Sequence, residues 1–95
     1  MAAYVIVDID VHDAVRYEDY KKLAPPSIAA YGGKYLARAG KTEILEGSWS
    51  PKRLVVLEFP NSEQAKKWLN STEYHDAREL RHTIATSNMV VIDGV

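Results

Sequence analysis

Apolar and polar residues alternate along residues 3–11. Val5, Val7, Ile9 and Val11 fall on one side, and Tyr4, Ile6, Asp8 and Asp10 on the other. A period of two, rich in β-branched side chains, specifies a strand. The period then lengthens: Tyr17, Tyr20, Ala24, Ile28 and Tyr31 recur at steps of three and four, which puts them on one helical face. Asp13 is placed to cap this helix and Gly32–Gly33 to end it. Pro25–Pro26 predict a kink or two short helices, since proline has no N–H for the helical ladder. Residues 34–39 predict a second strand, bent at Gly40 and continued over Thr42–Glu46. Arg53–Phe59 predicts the third, with Leu54, Val56 and Glu58 on one face, Val55, Leu57 and Phe59 on the other, and Pro60 as its stop. Asn61–Gln64 has capping-box spacing and opens a helix through Ala65, Trp68 and Leu69. Ser71–Thr72 breaks and recaps the chain before a helix from about Glu73 to Ala85, with Ala77, Leu80 and Ile84 on its apolar stripe. Asn88–Asp93 predicts the last strand.

The order strand, helix, strand, strand, helix, strand, joined by right-handed crossovers, gives an α+β ferredoxin-like antiparallel sheet with its helices on one face. The other sheet face is then bare, yet both faces of the first and third strands are largely apolar. A sheet with one wet face alternates more cleanly. A second copy of the chain is the simplest cover, and two such sheets face to face form a dimeric α+β barrel.

Composition narrows the chemistry. The 95 residues suit one domain spanning 1–95, with a thin core that gains from association. Twelve basic and 13 acidic residues leave no basic stripe for nucleic acid, and the short clusters Lys21–Lys22 and Lys66–Lys67 read as solvated helix faces. Without cysteine there is no disulfide, thiolate nucleophile or Cys-based zinc site. Acids interrupt the N-terminal apolar run, so no signal peptide is read there, and no stretch reaches the ~20 apolar residues of a membrane span. The cytoplasm is the default location, with no membrane partner.

The stretches "AYVIVDIDV" at 3–11, "YGGKYLARAG" at 31–40, "ILEGSWSPKRLVVLEFP" at 44–60, "AKKWLNSTEYHDARELR" at 65–81 and "SNMVVIDG" at 87–94 run in order along nearly the whole chain. Together they resemble the small bacterial family called domain of unknown function thirteen-thirty, within the dimeric α+β barrel superfamily. One departure is Ala39, where the family pattern favours glycine. The resemblance implies the fold and dimerisation. It does not imply a reaction, because the superfamily includes cofactor-free monooxygenases, haem-degrading enzymes, muconolactone-type isomerases and proteins without known activity.

Three charges sit on otherwise apolar strands: Asp8, Arg38 and Glu58. Alternation puts Asp8 and Glu58 on one mixed face with Ile6 and Val56, and Arg38, two residues from Leu36, is expected to join them. The arrangement is either a pocket, in which Arg38 grips a carboxylate, enolate or phenolate while Asp8 or Glu58 moves a proton, or a structural ion pair. Arg81 borders the apolar stripe of its helix and is the second candidate anion ligand, unless solvated. Tyr17, Tyr20, Tyr31, Trp68 and Tyr74 read first as core; Tyr20, Trp68 and Tyr74 are also candidate walls for a flat aromatic ligand. His75, Glu79 and His82 share a helix face, but that face points away from the core stripe and is read as solvated, with no metal site. His12 reads as surface.

These features describe a homodimeric small-molecule-binding protein with a semi-apolar pocket and a small anionic or aromatic ligand. It is either a cofactor-independent enzyme of oxygenase or isomerase type, acting on an organic acid or phenol, or a non-catalytic dimerisation or ligand-sensing module. No sequence feature points to a bound cofactor.

Overall fold

The structure, a computed structural model, describes all 95 residues. β1 (Ala3–Val11) leads into α1 (Ala14–Ala30), followed by β2 (Lys34–Arg38), β3 (Leu54–Phe59), α2 (Ser62–Leu69), α3 (Thr72–Ile84) and β4 (Ala85–Asp93). The strands form one antiparallel sheet in the order β2-β3-β1-β4. Alternation along β1 and β3 sends Val5, Val7, Ile9, Val55, Leu57 and Phe59 under the helices, where 16 buried residues form the core. The molecule is only 16 Å thick along its shortest axis, one sheet and one helical layer. No helix is long and apolar enough to cross a membrane.

The expected helix caps form: Asp13 accepts from the Arg16 N–H, Asn61 from Gln64 and Ser71 from Tyr74. Three expectations need correction. Pro25 and Pro26 lie inside a continuous α1. The missing Pro25 N–H frees the Lys21 carbonyl, and the Arg38 guanidinium fills the vacancy at 3.3 Å. Buried Tyr17, Tyr20, Ala24, Ser27 and Ile28 hold the helix down on both sides of the prolines. Thr42–Glu46 is not a strand; residues 39–53 form a connection without helix or strand. β4 starts three residues earlier than expected, directly from α3, because it pairs with β1 along its full length, from Ala85↔Val11 to Asp93↔Ala3.

Two backbone positions are tightly determined. Ala39 has φ 56, the left-handed region that favours glycine, which accounts for the glycine expected there. At Gly33 a Cβ would lie 2.6 Å from Cε1 of Phe59, itself fully buried, and 2.8 Å from Ile28 Cγ2. Ala39→Gly is expected to raise stability by about 0.5–1 kcal/mol, and Gly33→Ala to lower it by about 1–3 kcal/mol. Urea denaturation midpoints measure both.

Candidate functional site

The alternation of β2 is broken once. Tyr35 pairs with Leu57, and Ala37 with Val56, so Leu36 is an extra residue without a partner of its own. Because side chains alternate with period two, the bulge reverses the faces beyond it. Lys34 lies opposite Glu58 on the bare face, whereas Arg38 lies opposite Val55 on the helix side. The expected cluster of Asp8, Glu58 and Arg38 therefore does not form: the acids are on one side of the sheet and the arginine is on the other.

Each acid has a local partner instead. Asp8 accepts from the Trp49 indole N–H at 3.1 Å and from the backbone N–H groups of Lys52 and Arg53 at 2.9 and 3.3 Å. Desolvation pushes its carboxyl up, but these three hydrogen bonds and the Lys52 charge outweigh it, so its pKa falls below the ordinary 3.8. Asp8 thus tethers the 39–53 connection and stays ionised, which does not suit an acid catalyst. Glu58 pairs with Lys34 at 3.3 Å, partly exposed.

On the helix side a cleft opens between α1 and the sheet. Val7, Ile9, Val55 and Leu57 form its floor, Tyr17, Tyr20, Trp68 and Met89 its walls, and Arg38, Arg53 and Lys21 line it as well. The Arg38 guanidinium lies 4.6 Å from the centre of the Tyr35 ring, and that of Arg53 lies 5.1 Å from the centre of Tyr17 while its Nε donates to the Tyr17 hydroxyl at 3.1 Å. Neither arginine is in an ion pair; Lys21 is, with Glu18 at 2.8 Å. Burial raises the pKa of Tyr35 although the charge of Arg38 opposes it. Burial first, then Tyr74, raises that of Tyr20 far more. Both tyrosines therefore keep their protons at neutral pH and do not act as bases. Only about 20 Å³ of the cleft admits the centre of a water molecule, room for about one water.

Of the expected ligand-binding residues, Arg38, Tyr20 and Trp68 line this cleft. Tyr74 does not: it is fully buried and its hydroxyl shares a 2.6 Å hydrogen bond with Tyr20. Arg81 is buried too, 4 % exposed, and belongs to a different cleft. The two arginines expected to converge therefore stand apart. Nowhere do three His, Asp or Glu side chains gather as a metal site would require. Arg53 was missed by reasoning from the sequence, although it shares the parity of Val55 and Leu57 and so was legible as facing the helices.

The Asp8 tether has an acid-side signature. A depressed carboxyl stabilises the folded state fully above its ordinary pKa, and the contribution is lost as pH falls through the lower folded value. The Trp49 indole N–H resonance is expected to titrate with a midpoint below 3.8. In Asp8→Asn that titration should be gone from the NMR spectrum.

The sequence matches the family model described as Domain of unknown function (DUF1330) over residues 2–95. No curated protein sequence matches it. Among solved structures, the RPA0582 protein of unknown function from Rhodopseudomonas palustris superposes with TM-score 0.79 at 15% identity, covering 99% of this chain and 82% of the other. SnoaB, a cofactor-independent oxygenase from Streptomyces nogalater, gives 0.69 at 11% identity, covering 99% and 93%. Rv0793 from Mycobacterium tuberculosis gives 0.59 at 13%, covering 100% and 96%. At such identities the likeness is one of fold. The chain has a ferredoxin-like α+β fold and belongs to the DUF1330 family.

Proposed function

We propose that this protein is a homodimer whose subunits each bind a small anionic aromatic compound in the cleft between α1 and the sheet, which widens to admit it. One observation carries the reading: Arg38 and Arg53, without carboxylate partners, are each held against a tyrosine ring beside an apolar floor. Stacking uses the face of a guanidinium and leaves N–H groups at its edge for a carboxylate or phenolate. The Tyr17 hydroxyl accepts from Arg53, so its own proton is free to donate to the same oxygen.

With Asp8 and Glu58 behind the sheet, any reaction in the cleft would rely on stabilising a phenolate or enolate, not on a carboxylate base. The fold shared with a cofactor-independent oxygenase supports an oxygenase or isomerase type of chemistry. The narrow free space supports a second reading, a non-catalytic dimerisation or sensing module whose cleft is filled by its own side chains.

Dimerisation rests on the bare sheet face. Ile6 and Val56 lie beside Val90 and Ile92, which are 60% and 56% exposed, and the nearby connection lays Trp49 against this face at Asp8 and leaves Leu45 exposed. Light scattering is expected to give twice the 10.7 kDa chain mass at micromolar concentration. Val56→Lys should yield a folded monomer. Val7→Lys, in the core, should cost about 3–5 kcal/mol and prevent folding. A folded wild-type monomer would end the two-sheet argument.

The ligand is tested by thermal shift and calorimetry against hydroxybenzoates, with oxygen uptake followed in parallel. Binding should be lost in Arg53→Ala and Arg38→Ala, with little recovery in Arg38→Lys, which lacks the planar fork. Arg38→Ala should cost only about 1 kcal/mol, since it removes one exposed hydrogen bond to the Lys21 carbonyl. Failure of the whole series to bind would favour the non-catalytic module.

A further inference from the structure

Arg81 raises a separate question. It sits in the last turn of α3, is almost wholly buried and has no carboxylate partner. A guanidinium cannot shed its charge by losing a proton, so burial has to be compensated. Its Nε donates to the Tyr74 hydroxyl at 3.3 Å, Nη1 donates to the Ser87 hydroxyl, and Nη2 lies 3.5 Å from the His82 ring nitrogen. None of these partners is a carboxylate, and they leave N–H groups of the fork unassigned. The C-terminus of α3 supplies at most about half a negative charge.

The compensation is incomplete, and it is incomplete at a surface cleft. Arg81 lines an opening of about 380 Å³ between the end of α3 and the start of β4, with Arg78, His82, Thr86 and Ser87. Arg78 provides a second, independent observation. Its Nη1 donates to the Leu69 carbonyl and to Asn70, and Nη2 reaches Glu79 at 3.6 Å, but its Nε–H is buried with no partner at all. Buried N–H groups without partners are rare in folded proteins, and a bound acceptor is one way to satisfy them. Thr86, which lines the cleft, is itself hydrogen-bonded to the exposed His12 at 2.8 Å. No acid lines the cleft.

We propose that this cleft is a binding site for a small oxyanion, a carboxylate or phosphate group, gripped by Arg81 from below and by Arg78 and His82 at the rim. It is separate from the aromatic cleft and does not depend on that reading. The hydrogen-bonded chain Arg81–Tyr74–Tyr20 runs from one cleft to the other.

Calorimetry on the whole protein with sodium phosphate and with sodium acetate, against sodium chloride at matched ionic strength, tests the site. One of the two anions is expected to bind once per chain, and which one identifies the source of the oxyanion. Titration should move the Arg81 Nε–H resonance. Arg78→Gln and His82→Gln alter partly or fully exposed side chains and should keep the wild-type circular dichroism, while Arg78→Gln weakens binding about tenfold. Arg81→Lys, if it folds, should bind no better than Arg78→Gln. The proposal is overturned if neither anion binds beyond chloride, if Arg78→Gln leaves the affinity unchanged, or if the Arg53 Nε–H resonance moves in place of that of Arg81.

Discussion

The fold depends on burying a row of large aromatic rings without stranding their polar atoms. Phe59, Trp68 and Tyr74 pack in succession with centroids 5.4 and 4.2 Å apart, and Tyr20 and Tyr17 extend the row along α1. These rings supply much of the apolar area that a 95-residue chain can hide. Each polar tip must then find a partner inside. The Trp68 indole donates to Ser27 Oγ at 3.1 Å, and Ser27 donates to the Ala24 carbonyl at 2.6 Å. The Tyr20 and Tyr74 hydroxyls share one hydrogen bond, and the Tyr74 hydroxyl also accepts from Arg81. Satisfying these atoms fixes α1, α2 and α3 relative to one another more tightly than apolar contact would, because hydrogen bonds are directional. It also brings the Arg81 charge into the interior.

The sheet sorts charge by side. Asp8, Asp10 and Glu58 point to the bare face, where Asp8 ties down the long β2–β3 connection and Glu58 meets Lys34. Arg38, Arg53 and Arg81 are on the helix side with no acid in an ion pair. A helix-side layer in which arginines outnumber their acidic partners favours anions, and the aromatic rings beneath favour flat ones. The bare face, by contrast, offers apolar side chains suited to another sheet.

Arg38 shows how one residue can support the fold while lining the cleft. Its guanidinium completes the helical ladder at the carbonyl freed by Pro25 and stacks on Tyr35. The helix itself runs unbroken through its two prolines beside the cleft, held down by buried residues on both sides of them. Arg53 does likewise, clamping Tyr17 in place at the same opening.

The sequence by itself determined the elements and the layers. Alternation in 3–11 and 54–59 reports directly which side chains face the helices, and Asp13, Asn61 and Ser71 mark the helix starts through chemistry local to a single turn. The Asp8–Glu58 face was legible for the same reason, and the family resemblance was legible in the five stretches that carry it. The tertiary structure decided what depends on a partner strand or a distant residue. The bulge at Leu36 exists only in the pairing of β2 with β3, and that one extra residue carried Arg38 to the opposite face. Continuity of α1 through its prolines rests on packing against the sheet on both sides of them, with the Lys21 carbonyl taken up by Arg38 of β2, and the early start of β4 required nine residues of β1 to pair with it. The burial of Arg81 required the hydroxyls of Tyr74 and Ser87 to come together across α3 and β4. Local patterns set what each segment becomes; non-local pairing set where its charges went.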